Sequence, residues 1–174
     1  HDAFRVGEDG PTHQPIEQEA QIRLLEKLKN HSHEQSFVAL RPADSQETNV
    51  AWKMAMENQK TPTGLILSRQ GIKDVPAKSG NRYEEALGAE KGGYLVQEVA
   101  DPDVILIANG SEVATLVAAT KLLEEKEGLK VNIASIPSEG IFRQQSEAYQ
   151  EKVIPPNKPI FGLTAGLPVN LEGL

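Results

Sequence analysis

The feature of this sequence that most constrains its fold is an alternation of short apolar runs with longer stretches of helical periodicity. Strands separated by helices of about ten or more residues predict parallel sheets with right-handed crossovers. We therefore predict the α/β class, with two open, mostly parallel sheets flanked by helices and joined by a linker. The predicted strands cover residues 37–40, 63–69, 94–99, 104–108, 130–136 and 159–164, and the predicted helices cover residues 16–29, 44–58, 111–126 and 139–151.

A change of composition divides the chain into two parts. Residues 71–92 are rich in Gly, Lys, Glu, Ser and Asn and contain few large apolar side chains, which is typical of a connection. We predict one domain at residues 1–70, a linker at 71–92 and a second domain at 93–174. The sequence begins without methionine and ends without a clear end signal, so we interpret it as an excerpt of a longer protein whose second domain is truncated.

Helix signals predict both the ends of the helices and their buried faces. Asp44 and Glu47 have the spacing of a capping box, Ser111 is a candidate N-cap, and Gly128 stands where a left-handed C-terminal cap is expected. Trp52 is interpreted as a packing residue. The predicted buried stripes are Ile16, Ala20, Leu24, Leu25 and Leu28, then Val50, Ala51, Met54 and Ala55, and then Ala114, Val117, Ala118 and Leu122.

The composition excludes several classes of function. With 25 acidic and 18 basic residues, the net charge of −7 argues against a protein that binds the phosphate backbone of nucleic acids. The absence of cysteine excludes disulfides and thiolate metal sites, and it fits a cytoplasmic protein. No apolar run approaches the roughly 18 residues of a membrane helix, so we predict no membrane association.

Polar chemistry is densest in residues 1–13, where glycines and a proline carry carboxylates, a hydroxyl and an imidazole. Asp9 and His13 could form an acid/base pair, or they could cap a turn and a helix. Ser68 and Arg69 end a predicted strand, the position where ligands collect in open α/β sheets. They could bind a phosphate, or Arg69 could form a surface salt bridge.

Two further motifs have weaker functional interpretations. Residues 109–112, Asn-Gly-Ser-Glu, follow a strand and open a helix, which resembles a phosphate-binding turn. The further glycines of a dinucleotide fingerprint are missing, so simple helix capping is favoured. His31 and His33 could bind a metal weakly, but without a nearby third ligand a solvated loop is favoured.

Residues 7–15, Gly-Glu-Asp-Gly-Pro-Thr-His-Gln-Pro, closely resemble the active-site stretch of transketolases, with His1 and Asp2 ahead of them. Further motifs follow in the transketolase order: Arg-Pro-Ala-Asp at 41–44, Ala-Trp-Lys at 51–53, Leu-Ile-Leu-Ser-Arg-Gln at 65–70 and Asn-Gly-Ser-Glu-Val at 109–113. The resemblance therefore covers essentially all 174 residues.

The resemblance implies an enzyme that uses thiamine diphosphate and a divalent metal, Mg or Ca, to move a two-carbon ketol unit from a ketose phosphate to an aldose phosphate. It also implies a cytoplasmic homodimer of the pentose phosphate pathway. Residues 1–70 resemble the second half of the pyrimidine-binding domain, and residues 93–174 resemble most of the C-terminal domain. The family's metal and diphosphate ligands, and the glutamate that activates the cofactor, would lie upstream of His1. We therefore expect the chain alone to bind no cofactor tightly and to be inactive.

The resemblance also implies roles for individual residues. His1, Ser68 and Arg69 match residues that line the sugar-phosphate channel, where cations and hydrogen-bond donors suit a phosphate dianion. Asp9 matches a residue that binds a sugar hydroxyl near the reacting carbons. His13 matches one that hydrogen-bonds the donor oxygen close to the reactive carbon of the cofactor.

Two other interpretations remain open from the sequence. A 1-deoxyxylulose-5-phosphate synthase or a pyruvate dehydrogenase beta-type subunit resembles part of the same loop, although Glu8 and the Gln14-Pro15 pair favour transketolase. A non-catalytic regulatory or assembly module is the third possibility, with the turn at Ser111 as an anion or nucleotide site. The polar residues of the first loop argue against it, since an assembly role gives no reason for them.

Overall fold

The computed structural model describes residues 1–6, 10 and 13–174, and it contains two sheets in this part of the chain. The first sheet is a parallel pair, β1 (Val38–Leu40) and β2 (Thr63–Leu65), in which Ala39 lies opposite Gly64. Two helices accompany this sheet, α1 (Glu17–Glu26) ahead of β1 and α2 (Ser45–Glu57) between the strands. The parallel pairing across a helical crossover is the arrangement predicted for this region.

The second sheet has the strand order β3-β5-β4-β6. Strands β4, β5 and β6 are parallel and β3 is antiparallel to β5, so the predicted α/β class with mostly parallel sheets is confirmed. The predicted helix at residues 139–151 is two helices, because Ser146 caps a new helix through its hydroxyl. The elements are β3 (Tyr94–Gln97), β4 (Val104–Ala108), α4 (Glu112–Glu127), β5 (Val131–Ser135), α5 (Glu139–Arg143), α6 (Glu147–Val153) and β6 (Ile160–Leu163).

The segment predicted as a linker is partly helical and partly buried. It contains α3 (Arg82–Ala86), which runs into a 3-10 helix at Leu87–Lys91. Ala86, Ala89 and Val75 are buried in the larger core cluster. Although the segment has few large apolar residues, its small side chains allow a short helix to pack closely against α2.

Helix α1 buries its polar face and exposes its apolar one. Leu24 and Leu28 are 58% and 51% exposed, so the predicted stripe was wrong for the described residues of α1. Glu19, Arg23 and Glu26 are buried instead. Their charges are paired, with Arg23 Nη2 3.0 Å from Glu19 Oε1, so burial does not leave them uncompensated.

The same helix also ties the two sheets together. Glu26 accepts a hydrogen bond from the backbone N–H of Ala39 in β1 at 2.8 Å and one from the hydroxyl of Ser138, just ahead of α5, at 3.4 Å. Burial raises the pKa of the Glu26 carboxyl, although Arg23 opposes the shift. The polar face of α1 therefore lies on the joint between the two sheets.

Two other predicted faces also differ from the structure. In α4 the buried side includes Val113, Leu116 and Thr120, whereas Leu122 of the predicted stripe is 54% exposed. Trp52 of α2 is 53% exposed and is not the packing residue predicted. Alanines and isolated leucines allow more than one choice of helix face, and the neighbouring sheet selects one of them.

The predicted caps are partly confirmed. Asp44 Oδ1 accepts from the N–H of Glu47 at 2.8 Å, but Glu47 turns to the N–H of Ala43 instead of completing the capping box. Gly128 adopts the left-handed conformation at the end of α4, with φ 66°. Ser111 is the N-cap residue of α4, as predicted, although its side chain makes no capping hydrogen bond.

Arg41, directly after β1, joins the two sheets through a fully buried guanidinium. Its Nη2 lies 2.8 Å from Asp2 Oδ2 and 2.6 Å from Glu112 Oε2. Its Nη1 donates to the backbone oxygen of Asn109 at 3.0 Å, and its Nε lies 3.9 Å from Glu19 Oε2. Burial alone would lower the pKa of Arg41, but Glu112, Glu19 and Asp2 outweigh it and raise that pKa above its ordinary value.

Backbone contacts reinforce this joint. The N–H of Arg41 donates to Pro137 after β5 at 2.8 Å, and the N–H of Gly110 after β4 donates to Arg41 at 3.0 Å. The carboxyl ends of β1, β4 and β5 therefore meet at one place. Gly110 has φ 58°, and a Cβ at this position would lie 2.7 Å from Arg41 Nε, so glycine is required both by conformation and by space.

A second buried cluster holds another part of the joint. Arg82 of α3 lies 2.7 Å from Asp44 Oδ2 and 3.3 Å from Glu47 Oε1. The hydroxyl of Tyr94 in β3 donates to Glu47 Oε1 at 2.6 Å. Burial raises the pKa of the Glu47 carboxyl despite the hydrogen bond from Tyr94. This cluster connects α2 with α3 and β3.

Because α1 buries its charged face, we make a prediction for two adjacent residues, Arg23 and Leu24. Arg23→Ala should lower the free energy of unfolding by about 3–5 kcal/mol, because it leaves the buried carboxylate of Glu26 without its cation and removes the closer cation of Glu19. Leu24→Ala should change it by less than about 0.5 kcal/mol, since the side chain is mostly exposed. Urea unfolding followed by circular dichroism measures both. A loss above about 2 kcal/mol for Leu24→Ala, as for a core leucine, would contradict the orientation of α1.

Two glycines with positive φ provide a matched test of the Arg41 joint. At Gly128, with φ 66°, an added Cβ meets no heavy atom within 4 Å. Gly128→Ala should therefore cost about 1–2 kcal/mol, the penalty of the left-handed conformation. Gly110→Ala should cost about 1–3 kcal/mol more, because its Cβ also displaces the buried guanidinium. Equal losses in thermal or urea unfolding would contradict the close contact at Gly110.

Candidate functional site

The N-terminal segment and the chain after β2 meet at one backbone hydrogen bond. The N–H of Asp2 donates to the oxygen of Leu67 at 2.9 Å. His1 precedes this bond and Ser68 follows it, so two residues predicted to line a sugar-phosphate channel are brought together. The ring of His1 also hydrogen-bonds through Nδ1 to the backbone oxygen of Asp2 at 2.8 Å. This meeting point is the core of the candidate site.

Ser68 and Arg69, which are predicted to bind the phosphate, follow soon after β2. Strand β2 ends earlier than predicted, at Leu65, but the N–H of Ile66 still donates to the oxygen of Leu40 at 2.8 Å. The hydroxyl of Ser68 donates to the backbone oxygen of Gln70 at 2.8 Å and stabilises the turn beyond the strand. Arg69 lies in this turn with its side chain exposed. The structure thus places Arg69 at a carboxyl end of the first sheet, in line with the strand-end position expected for it.

His13, another predicted site residue, lies shortly before the start of α1. His13 is exposed, and its backbone N–H donates to Gly10 at 3.3 Å. The amide of Gln14 donates through Nε2 to the backbone oxygen of Val6 at 2.9 Å, linking the chain before and after the loop. Asp9 lies outside the described residues. Its pairing with His13 therefore stays a prediction.

Asp2 is a buried residue beside the candidate site that the sequence alone did not single out beyond its place in the motif. Its carboxylate is 4% exposed, accepts from Arg41 Nη2 at 2.8 Å and from the N–H of Phe4 at 3.0 Å. Because its own N–H also donates to the backbone oxygen of Leu67, Asp2 is held by three hydrogen-bonding partners. The sequence does contain a signal for this contact. An arginine directly after an apolar run, such as Arg41, indicates a buried cation that needs a carboxylate partner.

The side chains around the turn at residues 109–112 do not form a phosphate site. The guanidinium of Arg41 occupies its concave side and donates to Ser111 Oγ at 3.2 Å, while Ser111 donates to Glu112 Oε1 at 3.0 Å. Asn109 and Ser111 are 0% and 1% exposed. A buried position among carboxylates disfavours a further anion, so the interpretation of this turn as a nucleotide or anion site loses its physical basis.

The histidine pair lies in a turn with a structural explanation. Asn30 Oδ1 accepts hydrogen bonds from the N–H groups of Ser32 and Glu34, at 2.9 and 3.1 Å, and so shapes the turn that carries His31 and His33. Among the residues that the structure describes, no group of three or more His, Cys, Asp or Glu side chains could hold a metal ion. In the same part of the chain, no helix has the length and apolar character needed to cross a membrane.

Comparisons with known proteins agree with this arrangement. Residues 1–74 match the family model of the transketolase pyrimidine-binding domain, and residues 92–174 match that of the transketolase-like C-terminal domain. The transketolase of Staphylococcus aureus is 45% identical over 158 residues, which are 89% of this chain and 22% of that enzyme. The chain therefore spans about a fifth of the length of such relatives.

Solved structures extend the comparison to the fold. A mutant transketolase from Pichia stipitis in complex with xylulose 5-phosphate superimposes with a TM-score of 0.83 at 36% identity, over 98% of this chain and 23% of that chain. A split-gene transketolase described as an inactive beta4 tetramer has a TM-score of 0.54 at 27% identity, over 73% of this chain and 36% of that chain. With the two family models together covering both sheets, the chain belongs to the transketolase family, as part of the pyrimidine-binding domain together with C-terminal-domain sequence.

Proposed function

We propose that this chain supplies the sugar-binding wall of a transketolase that transfers a two-carbon ketol unit from a ketose phosphate to an aldose phosphate. The observation that carries the proposal is the hydrogen bond between Asp2 and Leu67, which joins the residue after His1 to the residue before Ser68, just past the end of β2. Arg69 follows in the same turn. Cations and donors gathered at the carboxyl end of a parallel strand suit a phosphate dianion.

The division of roles follows from the positions of the side chains. Arg69 offers a planar fork to the phosphate, with His1 and Ser68 as neighbouring donors. His13 stands at the other end of the loop and would hydrogen-bond the oxygen of the transferred unit, near the reacting carbons. Asp9 would bind a sugar hydroxyl beside it. The phosphate end fixes the sugar, and the His13 end contacts the part of the sugar that reacts.

Thiamine diphosphate and its divalent metal, Mg or Ca, would be bound by polypeptide outside this chain. Among the described residues, the helix start most like a diphosphate cradle is the 109–112 turn, and Arg41 already fills it. The carboxylates there are committed to that arginine. This turn, as the structure describes it, therefore does not fit the cofactor, and the proposed contribution of the chain is to bind and orient the sugar.

Family properties complete the proposal. We propose that the active enzyme is a cytoplasmic homodimer and that this chain alone is inactive. The exposed apolar side of α1, with Leu24, Leu25 and Leu28 at 41–58% exposure, is consistent with a surface that further protein covers. The similar split-gene transketolase chain, described as an inactive tetramer of one subunit type, supports the expected inactivity.

The isolated chain should show no measurable ketol transfer with thiamine diphosphate, magnesium, xylulose 5-phosphate and an aldose phosphate. The full-length enzyme carrying this sequence should be active under the same conditions, because it supplies the groups that bind the cofactor. A coupled assay of the aldose product compares the two. Turnover by the isolated chain at a rate near that of the full-length enzyme would contradict the proposal.

Two substitutions in the full-length enzyme test the proposed roles. Arg69→Ala should raise the KM for the ketose phosphate about 10- to 100-fold with a smaller change in kcat, since a charged hydrogen bond contributes about 1.5–3 kcal/mol and a remote phosphate contact gives mainly uniform binding. His13→Ala should instead lower kcat most, by about 100-fold, as expected for a group near the reacting atoms.

Steady-state kinetics with the same sugar lacking its phosphate provides the control. Arg69→Ala should leave the KM of that sugar nearly unchanged, and Lys73→Ala, which removes a nearby exposed cation, should affect neither sugar. An equal loss for both sugars in Arg69→Ala would remove its phosphate role. A full-length enzyme that transfers no ketol unit would refute the proposed function as a whole.

A further inference from the structure

The 109–112 turn of the second sheet contacts the chain on both sides of the proposed sugar site. It reaches Asp2, next to His1, through Arg41. It also reaches α1, which begins shortly after His13, because Asn109 Nδ2 donates to Glu19 Oε1 at 3.2 Å. A turn that follows a strand of the second sheet thus contacts Asp2 and Glu19, which lie on either side of the loop that carries the proposed sugar-binding residues.

We propose that the 109–112 turn positions the phosphate end of the sugar site through Arg41 and Asp2, and that Glu112 and Arg41 are positioning residues for ketol transfer. This inference rests on the proposed function and adds a role for the C-terminal sheet in it. Neither residue is exposed to a sugar, since Arg41 and Glu112 are 0% and 5% exposed. Their effect on the phosphate end of the site is transmitted through Asp2.

The path from Glu112 to the site consists of short, buried contacts. Glu112 Oε2 lies 2.6 Å from Arg41 Nη2, which lies 2.8 Å from Asp2 Oδ2. Arg41 Nε also donates to Asp2 Oδ2 at 3.1 Å, so the planar guanidinium fixes both the position and the direction of the carboxylate. The N–H of Asp2 then binds Leu67, the residue before Ser68.

The carboxylate of Asp2 leaves little freedom for the neighbouring backbone. Its second oxygen accepts from the N–H of Phe4 at 3.0 Å, so the residues after Asp2 are held as well. In a buried environment such ion pairs are stronger than at the surface, and a displaced partner leaves an uncompensated charge. A change at Glu112 should therefore move Arg41 toward its other carboxylates and shift the Asp2–Leu67 contact, with His1 and Ser68 on either side of it.

The second buried cluster, around Glu47, provides a control that distinguishes a positioning role from general stabilisation of the fold. Glu47 pairs with Arg82 at 3.3 Å and accepts from Tyr94 at 2.6 Å, within the same joint between the sheets. Its partners do not include Asp2 or Leu67 among the contacts of the described residues. Glu47→Gln therefore removes a buried charge from the joint without touching the proposed path, and it is a matched control for Glu112→Gln.

The test is steady-state kinetics on the full-length enzyme carrying Glu112→Gln or Glu47→Gln, with xylulose 5-phosphate and with the same sugar lacking phosphate. Glu112→Gln should raise the KM for the phosphorylated sugar about 5- to 20-fold, change kcat less than about twofold, and leave the KM of the other sugar unchanged. Glu47→Gln should alter neither KM. Ser111→Ala, a milder change whose hydroxyl lies 3.4 Å from Asp2 Oδ2, should produce a smaller rise in the same direction.

Three results would overturn the inference: equal KM changes for both sugars, equal effects of Glu112→Gln and Glu47→Gln, or an unchanged KM in both Glu112→Gln and Ser111→Ala. If Glu112→Gln does not fold, an absent effect in Ser111→Ala alone overturns it. Arg69→Ala in the same assay distinguishes the two proposals. A phosphate-selective effect of Arg69→Ala without one in the turn variants refutes only the positioning role, whereas no selectivity in Arg69→Ala refutes the phosphate site itself.

Discussion

The structure depends on one buried cation, the guanidinium of Arg41. It lies where the carboxyl ends of β1, β4 and β5 meet, and it binds carboxylates from both sides of the joint. An unpaired charge in this position would be prohibitively costly, so Asp2 and Glu112 are required partners and not optional contacts. Matched charges therefore join the two sheets at this point.

This joint explains why the turn after β4 does not form the open crevice in which ligands usually bind at strand ends of α/β sheets. The guanidinium of Arg41 lies against this turn, and the close approach requires glycine at Gly110. Ser68 and Arg69, which belong to the proposed sugar site, instead follow the carboxyl end of β2 in the first sheet.

Helix α1 is another consequence of the polar joint. Its charged face is buried because Arg23 pairs with Glu19 and because Glu26 binds the N–H of Ala39. Its leucines consequently point away from the sheets of this chain. The periodicity rule assumes that the apolar face of a helix packs on its own domain, and a helix placed on a charged joint does not meet that assumption.

The sequence by itself determined the α/β class, the approximate strands and helices, and the transketolase motifs, because apolar periodicity, turn residues and catalytic loops are local features. Its motifs also named His1, Asp9, His13, Ser68 and Arg69 as candidates, and the roles of all five stay predictions. Which face of α1 is buried, why the Ser111 side chain makes no capping bond, and how Arg41 connects Asp2 with Glu112 follow only from tertiary contacts. These outcomes depend on contacts between residues far apart in the sequence, such as Asp2 and Ser111, which are 109 positions apart, and long-range charge pairing leaves no periodic signal in a single sequence.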